Sequence, residues 1–137
     1  MTLEAKIRSA ALAYTPLSSL LGTSPFRFYD TQLVQGTLFP AIAFQEVGGS
    51  PTYAFTGRLP TGYSRYQFTI WDTDAERGRA VEAALLSFFD QLNLQGIPGL
   101  SLYPCRVVSQ KAGMFTDPQP PQFLRYVDAL IFSNSNL

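Results

Sequence analysis

The sequence predicts an α+β fold: a mostly antiparallel sheet of four to five strands, with one long and one N-terminal helix packed on one face. Three observations carry this. "WDTDAERGRAVEAALLSFFDQL" (71–92) places apolar residues at helical spacing: Ala80, Val81, Ala84, Leu85, Phe88 and Leu92. "YSRYQFTIWD" (63–72) alternates, with Tyr66, Phe68 and Ile70 on one face and Arg65, Gln67, Thr69 and Trp71 on the other. "FLRYVDALIFS" (123–133) alternates in the same way near the end of the chain. Strands that follow one another through loops favour antiparallel pairing.

The remaining elements follow in order. Leu3, Ile7, Ala10, Ala11 and Tyr14 make residues 2–14 an amphipathic helix. Thr15-Pro16 ends it, because the residue before proline is pushed out of helical geometry. "TPLSSLLG" then reads as a short second helix, capped by Thr15 and closed by Gly22. "PFRFYD" (25–30) is a short aromatic strand, and "LVQGTLF" is a loop. "PAIAFQEV" is a strand opened by Pro40, a position where proline is allowed. Residues 48–62 hold four glycines and two prolines in fifteen residues, so they read as a long loop. The long helix spans 74–92 and stops at Gly96 and Pro98. A strand over 100–111 starts or breaks at Pro104, and three prolines in 112–122 indicate a stiff loop.

At 137 residues the chain suits one domain, 1–137, able to bury a core without metals or disulfides. Charged residues make up only 15% and aromatics 14%, a balance that leans toward assembly with partners. Ten basic and ten acidic residues cancel, so no strong phosphate attraction is expected. No apolar run is long enough for a membrane span. Glu4 and the broken apolar spacing around it do not suit a signal peptide, and the single Cys105 fits a reducing compartment. A soluble protein made in the cytoplasm is expected.

Asp72, Asp74 and Glu76 are the one acidic cluster that invites a catalytic or metal reading. Thr73 with Glu76 three residues later is the capping-box pattern, and acids in a first helical turn oppose the helix dipole. Alternation sends Asp72 to the Tyr66/Phe68 face, so the three acids are not expected to converge. With no histidine in the chain, the usual general base, the Ser-His and Cys-His pairs and most zinc sites are missing. Cys105 beside Arg106 reads as a small core residue. No cofactor, metal or catalytic residue is assigned, and the chain reads as a non-enzyme. "FRFY", "RYQF" and "LRYV" interleave arginine with aromatics, which gives a nucleic-acid-binding module as the alternative of another class.

Four stretches together carry a resemblance across nearly the whole chain: "LEAKIRSAALAYTPLSSLLG", "RFYDTQLVQGTLFPAIAFQEVGG", "SRYQFTIWDTDAERGRAVEAALLSFFDQL" and "DPQPPQFLRYVDALIFS". In their order and distances they resemble the tail-completion, or tail-terminator, proteins of long-tailed bacteriophages and prophage-derived particles. Head–tail adaptor (neck) proteins of similar size share this look. The resemblance implies a virion protein assembled in the bacterial cytoplasm. It would form a homo-oligomeric ring, typically a hexamer, on the head-proximal end of the tail tube. There it would stop tube growth and dock the head. Implied partners are the tail tube protein and a head–tail connector, with DNA passing through the lumen without tight binding. The stretches 48–62 and 112–122 are the expected contact regions, with Tyr53, Phe55, Met114 and Phe115 as apolar anchors. Arg58 and Arg65 are candidates to face the channel.

Overall fold

The helical spacing at the N-terminus is realised in α1, Leu3–Ala13, which buries Ile7 and Ala11. α2, Thr15–Leu21, follows at once, with proline in its first turn and Gly22 closing it at φ 85°. Its N-cap is Tyr14, not Thr15, and no side chain caps it; the Ser18 amide bonds directly back to the Tyr14 carbonyl. In the computed structural model, which describes residues 3–34, 36–54, 57–95, 102–115 and 121–134, five strands and a third helix complete the chain. They are β1 (Phe28–Asp30), β2 (Ala41–Ala54), β3 (Gly57–Asp72), α3 (Ala75–Gln95), β4 (Leu102–Phe115) and β5 (Gln122–Asn134).

The sheet runs in the order β1-β2-β3-β5-β4. All pairs are antiparallel except β1 with β2, which pair in parallel through Phe28 and Ile42 to Asp30 and Phe44. The chain doubles back over residues 31–40 to achieve this, turning through left-handed backbone at Thr31 and Gly36.

Alternation then sorts the sheet into two faces. Ile42, Phe44, Tyr66, Phe68, Ile70, Val127, Ala129 and Ile131 share one face and are all buried under the helices. From α3 they receive Val81, Leu85, Phe88 and Phe89, and from α1 and α2 they receive Ile7, Ala11, Leu17 and Leu21. Phe28, Phe44, Phe68 and Phe89 form a chain of rings 5.0 to 6.1 Å apart that ties the short strand β1 to α3. Ala80, expected on the apolar stripe of α3, is exposed, while Phe89 takes its place in the core.

Residues 48–62 differ most from expectation. They are not a loop but the outer half of the β2–β3 hairpin, paired from Gly48 with Arg65 to Ala54 with Gly57. Proline and glycine are admitted for local reasons. Register shifts fall between Glu46 and Gly48 and between Pro51 and Tyr53. Pro60 lies outside the stretch of β3 that pairs with β5, which begins at Thr61. A missing N–H is tolerated on an edge or at a bulge, and both conditions are met here. Part of 112–122 is strand as well: β4 continues to Phe115 and β5 starts at Gln122. Pro104 sits where β4 shifts register, between Leu102 and Cys105.

Candidate interaction site

The acidic cluster resolves into two structural devices. Asp74 is the N-cap of α3, and its Oδ1 accepts from the amides of Glu76 (3.0 Å) and Arg77 (3.3 Å). The cap therefore falls one residue after the expected Thr73, because α3 begins at Ala75. Asp72, fully buried on the core face, accepts the Asp74 amide at 3.1 Å and a two-pronged hydrogen bond from Arg77 at 2.6 and 2.9 Å. That fork holds the guanidinium in its charged form, raising the Arg77 pKa. Asp74→Ala is expected to cost about 1 kcal/mol of stability, read from the urea midpoint. Among the described residues no group of three His, Cys, Asp or Glu side chains is placed to hold a metal ion.

The arginines that suggested a base-stacking platform are also used inside the fold. Arg27 donates to the Pro40 carbonyl at 2.8 Å, Arg65 to Asp128 at 2.7 and 3.2 Å, and Arg125 to Glu82 at 2.8 Å. Their aromatic neighbours Phe26, Phe28, Tyr66 and Phe68 are buried, so these rings have no open face to offer a base. Glu82, an acid outside the apolar stripe of α3, is buried because Arg125 reaches it from β5 and ties helix to sheet.

Tyr66 donates to Glu4 on α1 at 3.0 Å, and burial together with nearby Glu4, Glu46 and Asp30 pushes its pKa up. Cys105 is buried among the core residues, and burial pushes its thiol from 9.0 up to about 12. An unfolded chain releases this proton near pH 9 while the folded chain keeps it. Stability therefore falls between pH 9.0 and about 12, by up to about 1.4 kcal/mol per pH unit. Urea titrations at pH 8 and pH 10.5 should show this loss, and Cys105→Ala should flatten part of it. The same thiol should react with an aromatic disulfide reagent only after unfolding.

Among the described residues no helix covers the other face of the sheet, which is partly exposed: Ala43 and Asp128 on it are buried, Gln45 and Arg65 exposed. Ala43, Gln45, Gln67, Thr69, Trp71, Tyr126, Leu130 and the Arg65–Asp128 pair share it. Thr31, Gln32 and Leu33 border it and form, with Ala43, Gln45, Thr69 and Trp71, an open groove of about 340 Å³. Its lining holds no titratable side chain, so it offers contact area and not chemistry. Val34 and Leu38, on the connection from β1 to β2, are 57% and 71% exposed, an apolar pair left to solvent.

The expected contact residues divide between two ends of the sheet. Tyr53 and Arg58 pair across the outer hairpin, though their side chains, like that of Phe115, lie outside what the structure describes. Phe55 lies wholly outside the described residues. Met114 is 54% exposed at the opposite end, beside Phe123, which pairs with Asp72. Arg65 lies between them, bound to Asp128 and 44% exposed. Sequence reasoning missed the pairs Asp72–Arg77, Glu82–Arg125 and Arg65–Asp128. The last two join residues 43 and 63 positions apart, and no local pattern signals them.

No protein-family model and no curated protein matches the sequence. Among solved structures, a chain of the virion of a native gene transfer agent (GTA) particle is similar to this one. The TM-score is 0.68 at 15% identity, over 96% of this chain and 92% of that chain. At 15% identity the likeness is one of fold, over nearly the whole length of both chains.

Proposed function

We propose that this chain is a structural subunit of a tailed-phage-like particle, acting as its tail terminator. Six copies form a ring on the head-proximal end of the tail tube, stop its growth and present the surface that docks to the head. The observation that carries this reading is the end-to-end likeness of fold to a virion chain, 96% of one against 92% of the other. The groove bordered by Thr31, Gln45 and Trp71 on the sheet face away from the described helices, with the exposed Val34, Leu38 and Met114, supplies contact area of the kind a ring subunit needs. The internal use of Arg27, Arg65 and Arg125, with zero net charge, suits a lumen that lets DNA pass without holding it.

The test is the solution mass by light scattering across protein and salt concentrations, followed by co-sedimentation with purified tail tubes. The expected result is a species near six times the 15.2 kDa subunit mass, binding one end of the tube. A chain that stays monomeric throughout and ignores the tubes overturns the proposal. Tight, steeply salt-dependent binding to DNA would instead favour the nucleic-acid module.

A further inference from the structure

The sheet ends in two unlike edges, and we infer that they pair with each other between neighbouring copies. The outer edge of β4 in one copy would lie antiparallel to residues 45–54 of β2 in the next. This inference rests on the ring reading above and specifies its interface.

β4 lies at the end of the strand order, with β5 on one side and no described strand on the other. Past the shift between Val107 and Ser109 its register with β5 is unbroken from Ser109 to Phe115, a straight edge without proline. Val108 and Met114 on this strand are 40% and 54% exposed. At the other end, β1 covers β2 only from Ile42 to Phe44. From Gln45 to Ala54 β2 has β3 on one side and no described strand on the other. Unpaired backbone donors and acceptors in such rows are templates for another strand. A two-stranded ribbon such as the outer hairpin is marginal in water unless something joins it.

Charge selects which edge meets which. β4 carries Arg106 and Lys111, both exposed, and no acid. β1 and β2 carry the exposed Asp30 and Glu46 and no base. A twofold β4–β4 dimer would set Arg106 and Lys111 against their own copies, whereas β4 against β2 joins opposite signs. Glu46 lies on the helix side of the sheet, opposite Tyr66, and Lys111 on the open side, opposite Tyr126. The attraction therefore acts as a field across neighbouring strands, within the Debye length of about 10 Å, and not as a contact ion pair. Two different edges at opposite ends of one sheet make a heterologous contact, the kind that closes rings. Direction follows from the topology. β4 runs antiparallel to β5, which runs parallel to β2, so rotation about an axis along the strands brings β4 antiparallel to β2.

Hydrogen exchange read by mass spectrometry, on the assembled full chain and on its diluted monomer, tests this. Assembly should slow exchange at residues 45–54 and 109–115 by at least about tenfold while leaving the long-paired core of β3 unchanged. Lys111→Glu and Glu46→Lys, both at exposed positions and so expected to fold, should each raise the dissociation constant about two- to fivefold per interface. The double reversal should recover much of that loss. A ring whose two edges exchange as fast as in the monomer overturns the edge pairing and leaves the ring reading standing. A dimer protected at 109–115 alone overturns it in favour of β4–β4 contact. A chain that never assembles, with or without tail tubes, overturns both.

Discussion

Phe68→Ala is expected to cost about 3–5 kcal/mol of folding stability, the largest effect of any single change proposed for this chain. Phe68 is fully buried in the middle of β3, between Phe44 on β2 and Val127 on β5. Its ring lies 5.5 Å from Phe44, 6.1 Å from Phe28 and 5.1 Å from Phe89, so it joins β1, β2 and β3 to α3. Truncation loses the transfer energy of the ring and leaves a cavity that these three aromatic neighbours cannot collapse to fill. Against a typical net stability of about 5–15 kcal/mol, the loss is roughly a fifth or more of the total. Urea denaturation followed by tryptophan fluorescence should show a lower midpoint with little change in slope. Phe68→Leu, which keeps most of the volume, should cost roughly 1–2 kcal/mol. A Phe68→Ala protein as stable as the parent would mean that the aromatic chain is not the centre of the core.

Arg77→Ala is expected to cost about 2–3 kcal/mol. Asp72 is 1% exposed at its side chain, and Arg77 supplies two of its three hydrogen bonds. Removing the guanidinium strands a buried carboxylate that keeps only the Asp74 amide. Loss of one partner from a fully buried pair costs about 3–5 kcal/mol, and the figure is lower here because Arg77 is 43% exposed and water can follow it in. Arg77→Lys keeps the charge but loses the fork, so it should cost about 1 kcal/mol. Asp72→Asn placed on top of Arg77→Ala removes the stranded charge and should recover part of the loss. The double-mutant cycle therefore separates the pairing energy from the cost of the orphan. A stability loss in Arg77→Ala that Asp72→Asn does not relieve would contradict the account.

Much of the fold was legible because it rests on short-range periodicity. Tyr66, Phe68 and Ile70 alternate at period two and are buried; Val81, Leu85 and Phe88 recur at helical spacing and are buried against them. The element order was readable for the same reason. Misreadings occurred where a residue's local preference yields to a partner. Gly48, Pro51 and Pro60 favour turns in isolation, yet strand pairing and two register shifts hold them in an extended ribbon. Glu82 looks like a solvent-side acid until Arg125 is seen beside it. "FRFY" and "RYQF" look like a nucleic-acid surface until Phe26, Phe28, Tyr66 and Phe68 prove to be buried.

The sequence by itself therefore determined the class of fold, the order of its elements, the core face of β3 and α3, and the acidic stretch 72–76 as a strand-to-helix junction. Each depends on neighbours within a few positions, where backbone geometry leaves few choices. The tertiary structure alone decided the strand order β1-β2-β3-β5-β4, the parallel β1, the long-range ion pairs Arg65–Asp128 and Glu82–Arg125, and the two edges left without a described strand beside them. These depend on which distant segments meet. Burial against residues tens of positions away sets that meeting, and no local pattern of side chains encodes it.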